Sequence, residues 1–234
     1  MAASADHTFQ PRKPTDSRAP CPALNALANH GYIPRDGRKV GLWTLTSALV
    51  HVYNLSWPLA LLLSTVGVVT CGRGRLPWAL DLHDLCWHNR IEHDVSTVHK
   101  DASPSSEFAP SHPDRRLVDQ LLAHGDGDRM RLKDFARARI ERANAERKEL
   151  DWKHKIIAHG ESVLTLLVLG KGDPGTKDAE LTIPKNQLYE WYGEERLPDE
   201  WKKPAQPVGL FRANGLSQIF VGLIAMRDYI AKSA

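Results

Sequence analysis

Apolar residues recur at helical spacing along most of the chain. Val40, Trp43, Leu45, Leu49 and Val52 predict a helix over residues 38–53, broken by Asn54 and Ser56. Residues 59–69 form an unbroken apolar run headed by Pro58 and closed by Cys71, Gly72, Arg73 and Gly74, the pattern of a buried core helix. Residues 22–30 read as a short helix, with Pro22 in the first turn and Gly31 just past the end. Residues 75–84 read as a loop or single turn, and 85–91 as another turn or short helix. Residues 103–113 form a surface loop with three prolines. Residues 117–124 make a short amphipathic piece, and 131–150 a strongly charged helix whose thin stripe is Leu132, Phe135, Ala138 and Ala145. Residues 155–169 are far more apolar, 170–175 turn, and 184–191 and 216–231 are helical. Few stretches alternate with period two, and there is no internal repeat. An all-α fold follows, a single compact helical domain over residues 21–234 behind an extended, proline-containing arm over 1–20.

Composition narrows the function classes. The 234 residues are 42% hydrophobic and 25% charged, which is ordinary for a globular protein. Lys+Arg number 31 against 28 Asp+Glu, a net charge of +3. That excess is too mild for a nucleic-acid binder, and Asp134, Glu141 and Glu146 interleave the basic helix, so its polar face is solvated. The apolar run 59–69 falls short of the roughly 20 residues a membrane span needs, so no membrane partner is expected. The N-terminal residues lack an apolar signal core: either a signal was removed or the protein stays inside the cell. Cys21, Cys71 and Cys86 are too few for a disulfide framework, and both one pair and none fit. Asn54-Leu55-Ser56 is a glycosylation sequon, of a kind expected by chance.

Three places carry candidate chemistry. Cys21 lies between Pro20 and Pro22 at a helix start, where free N–H groups and the helix dipole favour a thiolate and lower its pKa. A rigid thiolate with N–H donors aimed at sulfur suits an axial haem ligand, and a buried structural cysteine suits the same pattern. Next comes Glu92-His93-Asp94-Val95-Ser96, where Glu92 and Ser96 can offer oxygens to one hard cation if the backbone turns. Third is Glu161, set in an apolar helix with Ile157 at i−4 and Leu164 at i+3 on its face. Apolar walls raise a carboxyl pKa towards general-base range, whereas a cationic His93 opposes that rise. A hydrolase alternative uses His83, Asp84, His88, Glu92, His93 and Asp94 as metal ligands, with His88 and Glu92 at i, i+4; it leaves Cys21 and Glu161 without a role.

Taken together, Pro20-Cys21-Pro22 running on through residues 23–32, Glu92-His93-Asp94 with Ser96, Gly160-Glu161, and residues 196–201 with Pro204 resemble the haem-thiolate peroxygenases, the family of fungal chloroperoxidase and the unspecific peroxygenases. The resemblance covers residues 20–220 and the elements occur in family order. It implies a helical domain enclosing haem b, with Cys21 as axial ligand to iron. It implies a Mg2+ (Mn2+ in chloroperoxidase relatives) held by Glu92, the His93 carbonyl and the Ser96 hydroxyl beside a haem propionate. Glu161 would be the distal acid–base, with His93 orienting and charge-balancing it. Hydrogen peroxide and small apolar organic substrates would be the reactants, in a pocket including Ile91, Ile157 and Leu164. Secretion and a monomer or homodimer would follow. Longer members carry an Arg two helical turns before the catalytic Glu. Here that position is His154, flanked by Lys153 and Lys155. The short subgroup, with His in that role, fits better, and either His93 or His154 is left as the partner of Glu161.

Overall fold

The computed structural model describes residues 6–73 and 78–233, with side chains to Arg227. Eight α-helices are present among these residues: α1 (Pro22–Asn29), α2 (Leu42–Tyr53), α3 (Trp57–Cys71), α4 (Arg115–Ala123), α5 (Leu132–Glu146), α6 (Trp152–Leu169), α7 (Lys185–Gly193) and α8 (Leu210–Ser233). The fold is mostly α, in one domain with one continuous apolar core. Two antiparallel ladders add to the sequence reading. β1 (Val40–Gly41) pairs with β2 (Ala79–Leu80), and β3 (Arg129–Arg131) with β4 (Thr182–Pro184), Met130 opposite Ile183. Strands of two or three residues are too short to leave a period-two signature.

Helix ends follow local chemistry. Asp151 caps α6 by accepting the His154 N–H at 2.9 Å, and Asp114 caps α4 by accepting the Leu117 N–H at 3.1 Å. Residues 82–86 form a single 3-10 turn capped by Asp81, and the expected short helix over 85–91 does not extend past it. Part of the loop expected over 75–84 lies outside the described residues, as does Gly74. No helix among the described residues is long and apolar enough to cross a membrane.

One element departs from expectation. Helix α3 is not buried on all sides: Leu59, Ala60, Val68 and Cys71 face the core, while Trp57, Leu62, Leu63, Val66 and Val69 are exposed. Its apolar residues run around the whole helix, but α3 packs at the periphery and only one face meets α2 and the 3-10 turn.

Residues 6–20 run over the body of the protein. Arg18 and Ala19 are fully or almost fully buried, and the Ser17 N–H donates to the Asp36 carbonyl at 2.8 Å. Gly37 makes this docking possible. It has φ +66, and a Cβ there would lie 2.1 Å from the Ser17 carbonyl oxygen. Gly37→Ala should therefore destabilise the protein by about 2–4 kcal/mol, through overpacking and the left-handed backbone together. A urea denaturation midpoint checks this, and a change under about 0.5 kcal/mol would contradict it.

Candidate functional site

Cys21 is the N-cap of α1, with extended φ −120 and ψ 108, and Pro22 opens the helix. A dense polar frame fixes this corner. Asn25 accepts the Ala19 N–H at 2.9 Å and donates to the Ala19 carbonyl at 2.7 Å and to Glu195 at 2.5 Å. Asn29 donates to the Glu195 carbonyl and accepts from the buried Arg18 guanidinium. The Tyr53 hydroxyl donates to the Ala23 carbonyl at 2.7 Å. The Asn25 and Asn29 side chains on α1 therefore hold the backbone that carries Cys21.

The sulfur accepts from the Leu24 and Ala23 N–H groups, but burial is the larger influence and pushes the thiol up to about 11, with Glu161 adding to the rise. The expected lowering does not occur. Two N–H donors and the dipole of an eight-residue helix do not offset the cost of burying a full charge. A metal cation at sulfur reverses that balance, because a coordinating thiol is deprotonated outright.

Glu161 lies midway along α6. Its side chain is 47% accessible, yet burial by surrounding atoms is the largest influence on its carboxyl. The carboxylate is thus surrounded by protein atoms yet open to a small molecule. His93 Nε2 lies 3.7 Å from Glu161 Oε1. Burial raises the Glu161 carboxyl, but His93, Arg139 and His99 together outweigh it, and the net direction is down. Of the two opposed effects, apolar walls and a cationic His93, positive charge prevails. His93 shifts upward in turn, since Glu161 and the Asp94 carbonyl outweigh its burial. The structure brings His93 to Glu161. His154 instead donates from its backbone to Asp151 and pairs its Nδ1 with Asp151 Oδ2 at 2.9 Å, although its ring stands only 5.8 Å from that of His93.

Three residues join this site that the sequence reading did not select. Arg139 on α5 is 6% exposed, its Nη1 has no hydrogen-bond partner, and it interacts electrostatically with Glu161. His99 is 4% exposed, with both ring nitrogens unpartnered, and burial pushes its pKa down to about 4. Tyr192 on α7 is buried, with its hydroxyl 3.0 Å from Thr165 Oγ1. A signal for Arg139 was present: it sits at i+7 from Leu132 and i+4 from Phe135, on the stripe that packs inward. The α5 face read as solvated therefore excludes this arginine.

Of the apolar positions, Leu164 and Ile91 are half-buried against the core, and Ile157 is half-buried. Ile156, one residue away, is 63% exposed. Glu92 is buried and accepts from His88 Nδ1 at 2.8 Å, while burial raises its carboxyl above the ordinary range. Ser96 is half-buried, and its carbonyl accepts from Arg142 Nε at 3.1 Å. Between them Val95 has φ +61, a conformation costly for a β-branched residue by roughly 1–3 kcal/mol.

The hydrolase alternative fails. Residues 87–96 are not helical, so the i, i+4 spacing does not aim His88 and Glu92 at one metal; the two side chains bond each other. Asp84 pairs with Arg73, His83 stacks on Phe108, and no group of three or more His, Cys, Asp or Glu side chains among the described residues could hold a metal ion. The three cysteines are all free, and Cys71 and Cys86 are buried. The Asn54 amide nitrogen, the atom a glycan would occupy, donates to the Pro204 carbonyl at 2.8 Å.

The profile of the family "Peroxidase, family 2" matches residues 7–206. The chain belongs to this family. Its similar relatives include the chloroperoxidase of Leptoxyphium fumago, 44% identical over 92 residues (38% of this chain, 25% of that protein). An aromatic peroxygenase of Coprinellus radians is 43% identical over 53 residues (23% and 20%). An aromatic peroxidase of Fusarium equiseti is 51% identical over 57 residues (24% and 13%). The matched segments thus span a quarter or less of these relatives. For a peroxidase of this family, the buried and unpartnered nitrogens of His99 and Arg139, with the accessible Glu161 and half-buried Cys21, fit the walls of a haem cavity. Buried polar groups without partners are uncommon unless a ligand meets them.

Proposed function

We propose that this chain is a hydrogen-peroxide-dependent haem-thiolate peroxygenase. It would transfer a peroxide oxygen to C–H or C=C bonds of small apolar organic substrates, with one-electron peroxidase turnover as a side activity. The observation that carries this reading is the placement of Glu161, accessible and paired with His93, close enough for its charge to raise the Cys21 thiol at the start of α1. Residues 21–234 would form the haem domain, with Cys21 as the iron ligand. Bound there, haem b supplies activation of the peroxide O–O bond, strengthened by electron donation from the thiolate.

The chain's own residues handle the proton. Glu161, held ionised by His93 and Arg139, would take a proton from one oxygen of hydrogen peroxide. It would return that proton to the other oxygen, so that the O–O bond breaks with loss of water and the remaining oxygen is left for transfer to the substrate. His93 orients the carboxylate and balances its charge through the cycle. Ile91, Ile157 and Leu164 offer apolar contact to a substrate beside Glu161. Turnover with 18O-labelled peroxide and a small aromatic substrate tests this. Labelled hydroxylated product is expected, whereas radical coupling products without label would reduce the activity to peroxidation.

Burial raises the Glu92 carboxyl, and a divalent cation beside it would offset the cost of burying its charge. Glu92, the His93 carbonyl and the Ser96 hydroxyl would hold Mg2+, or Mn2+, next to a haem propionate. Elemental analysis of chelator-washed protein should find about one such ion per chain, and Glu92→Ala should lower haem occupancy. Full haem retention in a metal-free protein would contradict this assignment.

A further inference from the structure

The segment that carries His93 is held from outside by α5. Asp101 is the hub: one carboxylate oxygen accepts the Val95 N–H at 2.8 Å and Arg142 Nη2 at 3.1 Å, and the other accepts Lys148 Nζ at 2.9 Å. Lys148 also donates to Asp94 Oδ2 at 2.8 Å, and Arg142 reaches the Ser96 carbonyl at 3.1 Å while pairing with Glu146. Helix α5 ends at Arg147 with φ 51, and the chain turns there to bring Lys148 onto the segment. At the centre of the grip, Val95 is kept in its left-handed conformation.

The grip reaches the site through one hydrogen bond. His93 Nδ1 lies 2.7 Å from the Asp94 carbonyl. A carbonyl only accepts, so Nδ1 is protonated and donates to it, which leaves Nε2 turned to Glu161 and, in the imidazolium, able to donate to the carboxylate. The Asp94 carbonyl thus fixes the ring orientation, and the Asp94 side chain is itself held by Lys148. We propose that Asp101, Arg142 and Lys148 form a charged clamp that sets the Asp94–Val95 backbone and thereby aims the His93 ring at Glu161, which makes all three positioning residues. The inference rests on the reading of Glu161 and His93 given above. The two carboxylates hold the Lys148 ammonium well above the ordinary lysine range, so the clamp stays charged. Lys148 is 44% exposed, which makes it replaceable without disturbing the core.

The test uses the haem-loaded protein and two readouts that are not turnover. Hydrogen cyanide must lose its proton before it binds ferric iron, so its association rate reports the distal base. Nitrogen-15 shifts of the His93 ring, read in the diamagnetic ferrous carbonyl form, report the protonation and hydrogen bonding of its two nitrogens. Lys148→Gln and Asp101→Asn should each slow cyanide association about tenfold and shift the His93 signature, with haem content and thermal midpoint little changed. Lys148→Arg should restore both. If Glu161→Gln slows cyanide while Lys148→Gln and Asp101→Asn leave the rate and the ring signature unchanged, the clamp is overturned and the site reading stands. If Glu161→Gln itself has no effect, both fall.

Discussion

Cys21→Ser is expected to lose haem, or to keep it without thiolate character. The sulfur is held at the α1 N-cap between two prolines, with the Ala23 and Leu24 N–H groups directed at it. A serine oxygen occupies nearly the same place and accepts the same hydrogen bonds, so the fold survives. It is a poor ligand to haem iron and donates far less electron density. Because the free thiol is pushed up to about 11 by burial, the thiolate depends on the metal, and the metal on the thiolate. Haem content per chain and the carbonyl spectrum of the reduced variant decide it. A variant that keeps a full complement of haem with a thiolate-type spectrum would remove Cys21 from the axial position.

Glu161→Gln is the second large effect. Glutamine keeps the shape of the side chain and its place beside His93, so haem binding and stability should change little. It cannot accept and return a proton. General acid–base groups contribute about 10²–10⁴ in rate, and the second-order reaction with peroxide should fall by about that range. His93→Ala should cost less, because His93 orients the carboxylate rather than transferring the proton. His154→Ala should cost little, since Asp151 occupies its ring nitrogen. Stopped-flow mixing with peroxide separates these. An unchanged rate in Glu161→Gln removes it from the mechanism, and a loss in His154→Ala with none in His93→Ala would reassign the partner.

Much of the frame was legible because caps and prolines act locally. Pro22 and Gly31 bracket α1, and the apolar periodicity of residues 155–169 falls within α6. What was not legible depends on tertiary placement. The composition of α3 shows that it is apolar all round, but not that it lies at the periphery with Trp57 and Val69 outward. The direction of the Glu161 shift needed Arg139 and His99, which are 22 and 62 residues away in sequence and adjacent only in the fold. The Cys21 shift needed the depth of its burial, which no local motif encodes. Likewise, the motif favours His93 over His154 while sequence distance favours neither, and in space Asp151 stands beside His154 and Glu161 beside His93.

The central claim is a thiolate-ligated haem, and the absorbance spectrum of the reduced protein under carbon monoxide tests it most directly. A Soret band shifted strongly to the red, as a thiolate ligand produces, is the predicted result. A band at the position given by an imidazole ligand, or a protein that takes up no haem at all, would contradict it.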